Sequence, residues 1–286
     1  MASEQLEATI EVLRTLSITS GDIDADRAAM GASSEVPADL VHEMVVVDAR
    51  PAAWITEGAT GDGAILYLHG GGYVMGGLST HSAFGARLGA ETGLPVLVLD
   101  YRLAPEHVYP AALDDALAAF DWLVDKGIDA DRIVVAGDSA GGGLTLTVLT
   151  RLRDRGTRCA AGVMLSPWTD LTGRNGSHRT QADADPLVDS DALAVYARAY
   201  AGDTALTDPG VSPGLGDVSG LPPVLIQVGG REVLLDDSLE TAAAIQRAGG
   251  DVTLQRWDEA IHVFQILGAP ESDEAISAIA EFLAAH

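Results

Sequence analysis

One stretch of the chain, residues 132–143, joins an apolar run to a helical pattern through a serine flanked by glycines. Its sequence is RIVVAGDSAGGG, and the apolar residues before the first glycine predict a short buried strand. Gly137 and Gly141 leave room for a tight turn around Ser139. On such a turn the hydroxyl stands clear of the sheet, next to the N–H groups of the following helix. We therefore predict that Ser139 is a nucleophile and that the Ala140 N–H helps to stabilise an oxyanion.

The composition indicates a folded protein with an acidic surface. Of the 286 residues 47% are hydrophobic, and 17 basic against 42 acidic residues give a formal charge of −25. Such a charge repels nucleic acids and anionic membranes, so we expect neither as a partner.

Neither a targeting signal nor a membrane-spanning segment is evident in the sequence. The N-terminus has no basic segment ahead of an apolar run, and no apolar stretch is long enough to span a membrane. Cys159 is the single cysteine, which fits a reducing compartment. We expect a cytoplasmic protein.

Short apolar runs alternate with helical patterns along most of the chain. Eight runs predict strands: Met44 to Val47, Ala53 to Thr56, Ala64 to Leu68, Pro95 to Leu99, Ile133 to Ala136, Ala160 to Leu165, Pro223 to Val228 and Val252 to Trp257. The first two are expected to join through Arg50-Pro51. The alternation predicts a single α/β domain over residues 1–286, with a largely parallel sheet and helices on both faces. The loops that follow the strands should then meet on one rim of the sheet.

A glycine-rich segment follows the third predicted strand. It reads His69-Gly70-Gly71-Gly72-Tyr73. Glycines there let backbone N–H groups approach a ligand, so we predict that Gly70 and Gly71 complete the oxyanion hole. His69 is expected to brace this loop by hydrogen bonds rather than to transfer protons.

Three motifs together identify a resemblance to a known family. His-Gly-Gly-Gly, Tyr-Arg-Leu-Ala-Pro-Glu from Tyr101 and Gly-Asp-Ser-Ala-Gly-Gly occur in the order seen in the hormone-sensitive-lipase family of α/β-hydrolases, the bacterial type IV esterases. The resemblance runs from Ala64 to Gln265. It implies an α/β-hydrolase fold with a helical cap, here from about residues 1–40 and 171–220. Arg102 and Glu106 of the second motif are expected to form a structural ion pair.

The order serine, acid, histidine of α/β-hydrolases directs the choice of the other catalytic residues. After Ser139 the histidines are His178, His262 and His286, and only His262 follows a predicted strand in a family-like Ile-His-Val-Phe context. The candidate acids are Glu232, Asp236 and Asp237. A gap-free comparison with the Asp-Pro-Leu segment of the family places Glu232 at the position of the usual aspartate, and Asp236 at the start of the next helix.

The resemblance implies a serine carboxylesterase that hydrolyses short- to medium-chain acyl esters through an acyl-enzyme. A lactone hydrolase would use the same residues, and a ligand-binding protein of this fold would be expected to lack His262. Tyr73, Met75, Trp168 and Tyr101 are near the expected site and are either pocket or core residues. We expect no metal or organic cofactor, a small ester as the only ligand, and a homodimer formed through the last strand.

Overall fold

Eight strands form one sheet in the part of the chain that the structure describes, namely residues 2–16, 19–32, 40 and 42–286 of a computed structural model. The strands are β1 (Glu43–Val47), β2 (Arg50–Ile55), β3 (Ala64–Leu68), β4 (Val96–Leu99), β5 (Ile133–Asp138), β6 (Ala161–Leu165), β7 (Val224–Gly229) and β8 (Val252–Trp257). Their order is β1-β2-β4-β3-β5-β6-β7-β8. The β1–β2 and β2–β4 pairs are antiparallel and all the others are parallel, which confirms the predicted sheet.

The first hairpin turns two residues earlier than predicted. Asp48 and Ala49 make the turn, with φ of 44° and 65°, and Arg50 already belongs to β2. Pro51 pairs with Val46 in the ladder. A proline fits near the beginning of a strand because it has no N–H to donate. Its carbonyl accepts a hydrogen bond from the N–H of Asp100, the residue after β4.

Helices cover both faces of the sheet. The described helices are α1 (Glu4–Leu13), α2 (Ile23–Ala32), α3 (Leu78–Thr92), α4 (Ala111–Asp125), α5 (Ala140–Asp154), α6 (Ser177–Thr180), α7 (Ser190–Ala201), α8 (Leu235–Arg247) and α9 (Pro270–Ala285). Helices α4, α5 and α8 share one buried apolar cluster, whereas α3 and α9 share another. Alternate residues of β3 enter the two clusters: Leu66 faces the first and Ile65 the second.

Helices α1, α2, α6 and α7 lie in the two segments predicted to form a cap. Arg27 of α2 donates to the carbonyls of Val74 and Ala104 at 2.6 and 2.9 Å and pairs with Glu106. Residues 1, 17–18 and 33–39 of the predicted cap lie outside the described residues. Within the described ranges, no helix is long and apolar enough to cross a membrane.

The predicted Arg102–Glu106 ion pair is wrong. Arg102 pairs instead with Asp115 of α4, at 2.7 Å, and Glu106 pairs with Arg27 of α2, also at 2.7 Å. Asp115 is buried and needs a cationic partner, whereas the carboxylate of Glu106 is directed outward to the cap helix. Both residues still fix their loop, but through different elements.

Strand β8 lies at one edge of the sheet, as the dimer prediction requires. Leu254 on this strand is 37% exposed. The edge therefore leaves backbone groups and an apolar side chain open to pairing. The dimer itself stays a prediction.

Candidate active site

The predicted nucleophile lies on a tight turn between β5 and α5. Ser139 has φ 52° and ψ −119°, a backbone conformation that residues other than glycine rarely adopt. A Cβ on Gly137 or Gly141 would collide with the carbonyl oxygen of Leu68 on the neighbouring strand. The two glycines therefore allow the turn to approach β3 closely, and Ser139 faces the same cavity as His262.

A buried carboxylate holds the predicted base. Glu232, in the loop after β7, is fully buried, and its Oε1 accepts a hydrogen bond from His262 Nδ1 at 3.2 Å. Its Oε2 accepts from Gly229 N–H and from Ser166 Oγ, both at 2.8 Å. His262 lies in the loop after β8, so the parallel strands bring the two residues together across 30 positions of sequence.

The surroundings of His262 favour its charged form. Burial lowers the pKa of His262, but the hydrogen bond and charge of Glu232 oppose it, with smaller contributions from the charges of Asp185 and Asp138. The net effect raises the pKa of His262 above its ordinary value. No hydrogen bond joins Ser139 Oγ to the His262 ring in the described part of the chain; the shared cavity brings them together.

The two other candidate acids bond elsewhere. Asp236 Oδ2 accepts from the Ser177 N–H at 2.8 Å, so it caps α6 rather than its own helix. Asp237 Oδ1 accepts from Thr169 and Asp170 N–H groups at 3.1 and 2.8 Å.

The other two histidines after Ser139 lie away from Glu232. His178 Nε2 is 3.9 Å from Asp237 Oδ2, and His286 pairs with Asp251 at 3.5 Å. The geometry thus favours the Glu232–His262 pair among the alternatives.

The oxyanion prediction needs one correction, at Gly70. The Gly70 N–H donates to Asp138 Oδ1 at 3.0 Å and is therefore engaged. The Gly70 N–H thus already has an acceptor, whereas the N–H groups of Gly71, Gly72 and Ala140 have none among the described residues.

Asp138, the residue before the nucleophile, anchors the glycine loop. Its Oδ1 also accepts from Tyr67 Oη at 2.7 Å and lies 3.4 Å from His81 Nε2. Burial raises the pKa of Asp138, but the contacts with His81 and Tyr67 outweigh it, and the pKa falls below its usual range. The buried charge of Asp138 is thus compensated by hydrogen-bond donors, one of which is the Gly70 N–H of the glycine-rich loop.

His69 has the bracing position that the sequence predicts. Its Nδ1 donates to the Gly70 carbonyl at 2.7 Å, and its ring stacks on Tyr101 at 4.1 Å between centroids. Burial lowers the pKa of His69 to about 3, so the ring is neutral. Tyr101 Oη donates to the His69 carbonyl at 2.6 Å.

A largely apolar cavity of about 420 Å³ opens beside Ser139 and His262. Its wall includes Met75, Phe84, Leu187, Leu193 and Ile266, together with Leu13, Leu16 and Met30 of the N-terminal segment. The pocket prediction therefore fits Met75 alone.

Tyr73 and Trp168, by contrast, belong to the core. Each is 1% exposed, and Tyr73 stacks on Tyr200 of α7 at 3.7 Å between ring centroids. Neither lines the cavity, and both belong to the buried apolar cluster, so their assignment to the pocket is wrong.

Three residues near the site escaped the sequence interpretation. Asp138 could have been found, because it stands directly before the nucleophile. Ser166 could also have been found, because it directly follows β6, on the rim where the other loops meet. Asp185 gave no signal, since its contact with the loop of Glu232 is made to the Val233 N–H, 48 positions away. In the ranges that the structure describes, no cluster of His, Cys, Asp or Glu is arranged to hold a metal ion.

Comparison with known proteins places this geometry in a family. Residues 65–266 match a family of alpha/beta hydrolase fold proteins. An acetyl-hydrolase of Streptomyces hygroscopicus is 38% identical over 290 residues, which cover 99% of this chain and 97% of the relative.

Solved structures agree. An esterase from the bacterial hormone-sensitive lipase family superposes with a TM-score of 0.92 and 40% identity, over 99% of this chain and 98% of that chain. The esterase EstE5, soaked with p-nitrophenyl butyrate, gives a TM-score of 0.93 and 38% identity over the same shares. The chain therefore belongs to the hormone-sensitive-lipase family of α/β-hydrolases and is a carboxylic ester hydrolase.

Proposed function

We propose that the protein hydrolyses carboxylic esters of short and medium acyl chains through a Ser139–His262–Glu232 triad and an acyl-enzyme. The observation that carries this proposal is the hydrogen bond between the buried Glu232 and His262, beside a cavity that also holds Ser139. A serine hydroxyl is a weak nucleophile at neutral pH and needs such a base.

In the first half of the reaction, Ser139 Oγ attacks the ester carbonyl while His262 Nε2 takes the hydroxyl proton. Glu232 remains ionised; it fixes the tautomer of His262 and stabilises the imidazolium. The N–H groups of Gly71, Gly72 and Ala140 stabilise the negative oxygen of the tetrahedral intermediate.

The first half ends when the imidazolium of His262 gives its proton to the leaving alcohol, and the acyl group remains on Ser139. In the second half the same groups act on water. His262 then takes a proton from water, the hydroxide attacks the acyl carbonyl, and the return of the proton to Ser139 releases the acid.

The cavity supports a small apolar substrate. Its wall is formed mainly by aliphatic side chains and Phe84, and the volume of about 420 Å³ lies at the lower end of the range of ligand pockets. The Streptomyces hygroscopicus relative is named for an acetyl group, and EstE5 was soaked with a butyryl ester. Both acyl groups are short.

A hydrolysis panel tests the proposal. The panel contains p-nitrophenyl esters from acetate to palmitate, a few lactones and a matched amide, with Ser139→Ala as the control. We expect the highest kcat/KM on the acetate-to-octanoate esters and a loss of roughly 10⁴-fold or more in kcat for Ser139→Ala.

A fluorophosphonate should label wild-type protein at Ser139 only. A higher kcat/KM on palmitate than on butyrate contradicts the proposed chain length, and a preference for lactones contradicts the proposed substrate class. Labelling at another residue, or an active Ser139→Ala variant, contradicts the proposed mechanism.

A further inference from the structure

A buried carboxylate of the cap contacts the residue that follows Glu232. Asp185 Oδ2 accepts a hydrogen bond from the Val233 N–H at 3.0 Å, and Asp185 is only 8% exposed. Its Oδ1 accepts from the N–H groups of Leu187 and Val188 at 2.9 and 3.1 Å. Three N–H groups therefore hold this carboxylate in place, and one of them belongs to the loop of Glu232.

A second cap residue holds the other side of Val233. Ser177 Oγ donates to the Val233 carbonyl at 2.6 Å and accepts from the Asp236 N–H at 3.1 Å. The Ser177 N–H in turn donates to Asp236 Oδ2 at 2.8 Å. The cap segment thus binds both peptide groups of Val233, directly after Glu232.

The charge of Asp185 also acts on His262. The carboxylates that favour protonated His262 are Glu232, which bonds it directly, then Asp185 and Asp138. The pKa of Asp185 is raised by burial and by the charge of Glu232, although the charge of His262 and the bonds from backbone N–H groups lower it in part. Asp185 and His262 are therefore electrostatically linked although no hydrogen bond joins them.

We propose that Asp185 is a positioning residue for ester hydrolysis. Its carboxylate and the Ser177 hydroxyl together fix Val233, so that Glu232 stays against His262, and its negative charge stabilises the imidazolium that forms during the reaction. The cap thereby contributes to the triad as well as covering the cavity. The inference rests on the proposed triad, because it assigns no role to Asp185 unless Glu232 and His262 act together.

Three variants separate position from charge. Asp185→Asn removes the charge and places the amide NH₂ group opposite at least one of the three N–H donors. Ser177→Ala removes one side of the Val233 contact and leaves every charge in place. Asp183→Asn is the matched control, since Asp183 is an exposed cap residue two positions away whose carboxylate has no hydrogen-bond or ion-pair partner among the described residues.

The measurements are kcat and KM on p-nitrophenyl acetate, the pH profile of kcat/KM, and thermal unfolding. Asp185→Asn should lower kcat by about 10- to 100-fold, with little change in KM, because a small misplacement of a catalytic group has that effect. The acidic limb of its profile should move to lower pH, because a charge that favours the imidazolium is gone. Ser177→Ala should lower kcat by a smaller factor and leave the acidic limb in place, and Asp183→Asn should match wild type.

Several results would overturn the inference. If Asp185→Asn behaves like Asp183→Asn, Asp185 has neither role. If the acidic limb of the Asp185→Asn profile does not move, the electrostatic role is wrong. If Ser177→Ala has the kcat of wild type, the positioning role is wrong. If Asp185→Asn shows no cooperative unfolding, the neutral variant Asp185→Ser replaces it, and the acidic limb of its pH profile tests the electrostatic role. The kcat of Ser177→Ala then tests the positioning role. An inactive wild type, or one that a fluorophosphonate does not label at Ser139, removes instead the proposed function itself.

Discussion

Ser166 Oγ donates a hydrogen bond of 2.8 Å to Glu232 Oε2, the carboxylate oxygen that does not face His262. The same hydroxyl accepts from the Val263 N–H at 3.1 Å. One serine directly after β6 therefore connects the loop after β7 to the loop after β8. With the Gly229 N–H it satisfies one oxygen of a fully buried carboxylate and leaves the other for His262.

Replacing Glu232 by glutamine should lower kcat by roughly 10²- to 10⁴-fold, less than Ser139→Ala. The neutral amide cannot stabilise the imidazolium, and its NH₂ group must face either His262 Nδ1 or the donors at Gly229 and Ser166. Steady-state kinetics on p-nitrophenyl butyrate measure the loss.

Glu232→Asp is the matched variant, since the charge remains and only the reach of one methylene is lost. We expect it to retain part of the activity. A glutamine variant as active as wild type, together with an inactive Asp236→Asn or Asp237→Asn, would show that the acid has been misassigned.

Local pattern, strand topology and the resemblance to a known family together predict much of the site. The turn at Ser139 follows from an apolar run, a glycine pair and a helical pattern within twelve residues. His262 and Glu232 each follow an apolar run, and parallel strands place the loops that follow them on one rim. Topology predicts that these loops meet, but the choice of Glu232 over Asp236 and Asp237 came from the resemblance to the family.

The wrong assignments concern side-chain partners that only the folded chain brings together. Whether the Gly70 N–H is free depends on a carboxylate 68 residues away, and the partner of Glu106 comes from a helix 79 residues earlier. Tyr73 lies in the core because α7 supplies a stacking ring. No periodicity within a segment contains this information.

The acidic limb of the kcat/KM profile should lie above pH ~6.5, the ordinary pKa of histidine. His262 must be neutral to accept the proton of Ser139, and Glu232 raises its pKa. Activity should therefore rise with pH through a midpoint higher than that of a free imidazole. In Glu232→Gln the midpoint should move to lower pH, because the carboxylate that contributes most to raising the pKa of His262 is gone. Equal midpoints in the two proteins would contradict this electrostatic account.

Arg27 should stabilise the fold by holding α2 against the carbonyls of Val74 and Ala104. Arg27→Met removes the bonds to Val74 and Ala104 along with the Glu106 pair, and should lower the free energy of unfolding by about 1–2 kcal/mol. KM should rise, because Met30 of the same helix lines the cavity. Urea unfolding and KM for p-nitrophenyl butyrate measure the two effects.

Glu106→Gln is the control, since it breaks the ion pair and keeps both carbonyl bonds. This pair is partly exposed, so we expect a loss of about 0.5 kcal/mol or less and an unchanged KM. Equal losses in the two variants would mean that the ion pair, and not the carbonyl contacts, holds α2.

Asp237 should make the stability of the fold depend on pH near neutrality. Burial raises the pKa of Asp237 to about 7, although bonds from Asn175, Asp170 and Thr169 oppose it. Between about pH 4 and pH 7 the native state therefore keeps a proton that the unfolded chain has lost, and the free energy of unfolding falls as the pH rises through that window. Asp237→Asn cannot titrate, so its stability relative to wild type should improve from about pH 4 to about pH 7 and then level off. Thermal unfolding across this range measures the difference, with Asp183→Asn as the control for losing one charge. Parallel pH curves for wild type and Asp237→Asn would show that Asp237 has the same affinity for protons in the folded and unfolded chains.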